Sequence, residues 1–139
     1  MTLPILLLVL GCKKQPTSTA AAESMTCNRP TGMFGPVALS NAASRYGEGL
    51  SSLAEAVTSK EQPIEVCSVR GQLQWLLQAQ CADGSSPFTD AQTAHNARVS
   101  NVGPGGRCES VIDLYEVTCP EGTIEVYMDL YMCRANEEF

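Results

Sequence analysis

The chain has 139 residues, 44% of them hydrophobic and only 6% aromatic, with a formal net charge of -6. That length supports one domain with a small core. The acidity, with an isoelectric point near 4.7, excludes a nucleic-acid partner held by phosphate neutralisation, which needs clustered Lys and Arg.

Leu3 to Leu10 is an apolar run followed directly by Gly11-Cys12. It is too short to span a bilayer as a helix, which takes about 20 apolar residues. It suits the hydrophobic region of a cleavable export signal with a small residue at the cut. The segment Val9-Leu10-Gly11-Cys12 resembles the lipobox of bacterial lipoproteins. The resemblance covers about a dozen residues and says nothing of the rest of the chain. It implies cleavage after residue 11, a diacylglycerol on the Cys12 thiol, and a membrane partner reached through that lipid. It also implies a place in the bacterial cell envelope, with the domain in the periplasm or at the cell surface. Lys13, rather than Asp, after the cysteine resembles the pattern sorted to the outer membrane.

Cysteine arithmetic supports export independently. The cysteines are Cys12, Cys27, Cys67, Cys81, Cys108, Cys119 and Cys133. An odd number in an exported protein asks for one without a disulfide, and lipidation of Cys12 answers that. The remaining six suit three disulfides, with fifteen possible connectivities. No pair has Cys-x-x-Cys spacing and His95 is the lone histidine, so a zinc site is not expected and no cofactor is implied.

Residues 12 to 26 form the lipidated cysteine and a polar, small-residue tether. Extended, it could reach roughly 45 Å at about 3.3 Å per residue. One folded domain is expected over 27–139. Leu39, Ala43, Tyr46, Leu50, Leu53 and Val57 recur at spacings of four and three, which predicts a helix from about Val37 to Lys60. Gly47 and Gly49 weaken its middle. From Val66 to Cys81 the apolar residues alternate and predict strand, broken near Arg70-Gly71, although Leu73, Leu76 and Leu77 could also serve a helix.

Asp83 to Pro87 is turn chemistry. Thr89 to Gln92 has the form of a capping box with Thr at the cap, so a short helix follows. Val102 to Gly106 is expected as loop. The chain closes with a hairpin, Cys108–Cys119 and Thr123–Cys133, around Pro120-Glu121-Gly122 with Gly122 in a bulge. In its second strand Ile124, Val126, Met128, Leu130 and Met132 face inward, and Glu125, Tyr127, Asp129, Tyr131 and Cys133 outward.

The outward line Tyr127, Asp129 and Tyr131 is the best candidate recognition face. In a bulged register Tyr115 and Asp113 lie beside it, with Asp113 opposite Asp129. Like charges directly opposite are unfavourable and are kept for a metal, a cationic ligand or acid/base work. A one-residue register change would flip Asp113 to the other face and dissolve the pair. His95 lacks a nucleophile-elbow pattern nearby, and Gly103 to Gly106 lacks the lysine of a phosphate loop. Trp75 reads as packing.

The fold expected is α+β: an N-terminal helix packed on an antiparallel sheet of about four strands, stapled by disulfides. Helix-then-strands order is similar to cystatin-like domains in architecture alone and carries no function. The functional expectation is a membrane-tethered, non-enzymatic binding or structural lipoprotein with an unknown protein or small-molecule partner. The alternatives are an envelope hydrolase using Asp113 and Asp129, or an inhibitor or immunity-type lipoprotein.

Overall fold

The computed structural model describes residues 26–139. The expected signal segment, Cys12 and almost all of the tether lie outside them. The described chain holds six strands and two helices. They are β1 (Val37–Leu39), β2 (Ile64–Glu65), α1 (Ser68–Gln78), α2 (Ala91–Asn96), β3 (Arg98–Gly105), β4 (Ser110–Cys119), β5 (Gly122–Asp129) and β6 (Met132–Arg134).

Four strands form a mixed sheet in the order β2-β5-β4-β3, with β2 parallel to β5 and the other pairs antiparallel. β1 and β6 pair in parallel as a separate two-stranded ribbon. The architecture is α+β with three disulfides: Cys27–Cys108, Cys67–Cys133 and Cys81–Cys119. Among the described residues no helix is long and apolar enough to cross a membrane.

The central hairpin forms because β4 and β5 are rich in β-branched and aromatic residues that alternate in burial. Its turn is tighter than expected. Cys119 pairs with Gly122 across the two residues Pro120 and Glu121, with no bulge. Gly122 takes φ +139° inside the ladder.

Helix α1 replaces the strand expected over Val66–Cys81. Gln72, Trp75, Leu76 and Ala79 are buried at spacings of three and four, a helical stripe. Gln and Leu favour helix and Val69 is the lone β-branched residue in it, so local preference agrees with packing. The stripe lies on the sheet face formed by Tyr115, Val117, Val126 and Met128, all 0% exposed, and this is the main core. Trp75 belongs to it and donates its indole N–H to the Gly47 carbonyl at 3.1 Å.

The helix expected from Val37 to Lys60 is absent. After β1 the segment runs through a series of turns, and Ser52 makes a short bridge to Gln80. The periodic residues still pack: Leu53 is buried in the core, and Tyr46 and Leu50 lie against it, while Val57 is exposed. Gly47 decides against the helix. It holds φ +79°, and a Cβ there would meet the Ile64 side chain. The segment spreads most of its apolar side chains over the core edge through these turns. The helix-first order of cystatin-like domains is therefore not seen.

Two smaller expectations shift. The N-cap of α2 is Asp90 rather than Thr89, with Thr93 completing the capping box. Val102 to Gly105 belong to β3 rather than to a loop. β3 is an edge strand with register breaks between Arg98 and Ser100 and between Asn101 and Pro104. Bulges are commonest at sheet margins, and a strand proline is tolerated at an edge or a bulge.

Candidate functional site

The register of the hairpin sorts the candidate residues onto two faces. Asp113 pairs with Met128 and Tyr115 with Val126, so both point toward α1. Ile112 pairs with Asp129 and Leu114 with Tyr127, so Tyr127 and Asp129 point the other way. Asp113 does not face Asp129. The single-residue difference in the turn, two residues instead of a bulged three, moves the two carboxylates to opposite faces. The expected pair is thus not formed.

On the helix side a cleft of about 300 Å³ opens between α1, α2 and the β3–β4 margin. Asp113 and Gln72 sit at its buried wall, with Arg98, His95, Tyr131 and Asn101 around them. Tyr131 lies past the end of β5 and reaches this cleft despite its parity. The buried wall is a hydrogen-bonded relay. The Tyr115 hydroxyl donates to Gln72 Oε1 at 3.0 Å, and Gln72 Nε2 donates to Asp113 Oδ2 at 3.0 Å. Arg98 Nη2 donates to Asp113 Oδ1 at 2.6 Å.

The strands explain this geometry. Arg98 is the register partner of Tyr115, so Asp113 lies diagonally across from it, within reach of a long side chain. Burial, with the Asp113 charge beside it, pushes the Tyr115 phenol up to about 12. Tyr115 is therefore a neutral hydrogen-bond donor at any physiological pH. The Asp113 hydrogen bond and charge raise Arg98 above its ordinary value. His95 is exposed on α2. The cleft pairs a satisfied polar floor with apolar walls from Val69, Val111 and Leu130, the usual make-up of a site for a small polar ligand.

Asp129 is not the exposed centre of a recognition face. It is 0% exposed. Its Oδ1 accepts the Tyr131 backbone N–H at 2.9 Å, and its Oδ2 has no hydrogen-bond partner. Burial pushes this carboxyl up to about 6, partly offset by the Tyr131 amide, the Ser110 hydroxyl and the Arg29 charge. The Glu65 charge adds to the upward push. Glu65 is itself buried, accepting the Tyr46 N–H at 3.1 Å and the Arg107 guanidinium at 2.7 Å. Tyr127 stands apart at the sheet surface, half-buried, with its hydroxyl donating to Glu125.

Of the five candidates, the structure brings Asp113, Tyr115 and Tyr131 to one cleft and leaves Tyr127 and Asp129 outside it. Gln72 and Arg98 complete the cleft and were not anticipated. Gln72 lies on the helical stripe of Trp75, Leu76 and Ala79, but as a polar residue it did not mark that stripe in the sequence. Arg98 carried no signal.

One cluster of metal-ligand type occurs among the described residues: Cys81, Cys119 and Glu121. The two cysteines are disulfide-bonded to each other, so they are not available as thiolate ligands. No protein-family model, curated protein or solved structure matches the chain.

Proposed function

We propose that this protein is a membrane-tethered binding lipoprotein of the bacterial cell envelope, anchored through Cys12 and presenting the Gln72–Arg98–Asp113 cleft to a partner. The observation that carries it is the sulfur count. Six of the seven cysteines are consumed by three disulfides inside residues 27–133, which leaves Cys12 as the remaining one. A stapled domain belongs to an oxidising compartment, outside the cytosol. The leftover cysteine sits where the lipobox-like segment would place the lipid.

Binding is favoured over catalysis by the state of the cleft's polar groups. Asp113 has both oxygens engaged, and the Tyr115 phenol is held neutral. The phenol is therefore not poised to exchange a proton near neutral pH. The separated Asp113 and Asp129 offer no acid/base pair to a hydrolase.

The anchor is tested by labelling producing cells with radioactive palmitate. Label should enter the wild type and not Cys12→Ser, and equal labelling would sink the proposal. The cleft is tested by Asn101→Trp, which places a large ring at an exposed lining position. Small polar fragments that shift the Arg98 and Tyr131 resonances of the wild type in nuclear magnetic resonance should no longer do so. Unchanged binding would reject the cleft.

A further inference from the structure

We infer that the Met33-Phe34 turn is a second membrane contact, dipping into the lipid interface beside the tether. This rests on the anchored reading above.

Met33 is 81% exposed and Phe34 74%, and they are adjacent. The other exposed large hydrophobics of the described chain (Val57, Val69, Leu77, Val99 and Phe139) are not sequence neighbours of one another. Isolated exposed hydrophobics are ordinary and need no explanation, whereas two together on one tip do.

The tip is held in a built loop. Arg29 Nη1 donates to the Gly35 carbonyl at 2.5 Å. Its Nη2 reaches the Cys108 carbonyl at 3.1 Å and Ser110 Oγ at 2.7 Å. Gly32 and Gly35 amides close two turns within it, and Ala38 N–H binds the Asn28 carbonyl at 2.8 Å. The loop cannot fold its two side chains inward without giving up these bonds.

The occupant is argued from where the chain outside the structure ends. Residues 13 to 25 lead straight into Cys27, six positions before Met33, and Cys27 is locked to Cys108, the residue Arg29 also grips. The end of the domain that receives the tether is therefore the end that carries the apolar tip. An apolar tip suits the boundary between headgroups and acyl chains.

The test uses the chain from residue 12 onward, carrying Cys12→Ser and an amino-terminal hexahistidine. It is bound to phosphatidylcholine vesicles doped with nickel-chelating lipid and brominated in the acyl chains. Phe34→Trp introduces an indole at the tip, and Val57→Trp introduces one at an equally exposed site, 74%. The native Trp75 is buried and serves as the unquenched background. The indole from Phe34→Trp should shift to the blue and lose most of its emission, while that from Val57→Trp keeps its own. Equal behaviour of the two, or no quenching at the tip, would overturn the inference. So would an unquenched tip with a dimer in sedimentation that Met33→Ser/Phe34→Ser abolishes, since the face would then cover a second copy. Nickel holds residue 12 at the surface whether or not cells acylate Cys12. Failure of the palmitate experiment and failure of this one are thus separate results.

Discussion

Glu65 and Asp129 are register partners on the parallel strands β2 and β5, so two buried carboxylates stand side by side on the sheet face turned away from α1. They are not equivalent. Arg107 and the Tyr46 amide engage Glu65, whereas Asp129 keeps one oxygen without a partner. Their neighbours are Ser110 on β4 and Arg29 from the loop before β1. The unsatisfied member of such a pair is the one that resists ionising.

Asp129→Asn is expected to stabilise the domain at neutral pH. In the unfolded chain the carboxyl titrates near its ordinary value, and folding moves it up to about 6. Between those values the folded state holds more protons. Wild-type stability therefore falls as pH rises through that window, by up to about 3 kcal/mol. The amide cannot ionise. Urea unfolding should show the two proteins diverging from about pH 4 and reaching a constant gap above about pH 6. A variant less stable than wild type at pH 7 would contradict this.

Gln72→Leu should cost about 1–3 kcal/mol, because it strands Asp113 Oδ2 and the Tyr115 hydroxyl in a buried place. Adding Tyr115→Phe should recover part of that loss by removing one stranded group. Denaturant midpoints of the two single variants and the double variant measure the coupling. Simple additivity would mean that the relay is not a unit.

How far the amino acids disclose this fold depends on which residue holds each decisive position. The hairpin was readable because β4 and β5 are rich in β-branched and aromatic residues on either side of Pro120-Glu121-Gly122, although burial alternation breaks at Ile112-Asp113 and Met128-Asp129. α1 was not, because Gln72, a polar side chain, occupies a core position whose partners lie 41 and 43 residues away. A buried glutamine breaks the apolar period and leaves an alternation that resembles a strand. The absent helix after Val37 shows the reverse case. Its apolar spacing was real, but Gly47 needs a conformation closed to helices and sits against Ile64. At the cleft, one residue of turn length decided whether Asp113 met Asp129 or Met128. No composition rule fixes that number for Pro120-Glu121-Gly122.

Gly106→Ala should destabilise by roughly 1–2 kcal/mol from the left-handed backbone alone. The glycine has φ +65°, and an added Cβ would lie 3.2 Å from Pro63 and 3.4 Å from Asp129 Oδ2. Thermal unfolding reads the loss, and an unchanged midpoint would show that the loop relaxes freely.

Unreduced protein should weigh about six hydrogens less than the fully reduced chain, two per disulfide. Two or more free thiols among the six would refute the pairing. Cys67→Ala/Cys133→Ala, which opens the bridge between the start of α1 and β6, should cost about 2–5 kcal/mol in urea unfolding.

The Cys27–Cys108 bond also sets how the domain bears mechanical load. Tension applied through residue 26 does not reach the turns from Pro30 to Gly35 in series. It passes at once through sulfur to Cys108, two residues from the start of β4 in the middle of the sheet. The first stretch of chain is thereby bypassed, and peeling from that end is blocked by a covalent stop. A pull on that end would be taken up by the β4 ladders to β3 and β5, whose bonds share the force. Reducing that one disulfide would change the yielding point from the sheet to the loop.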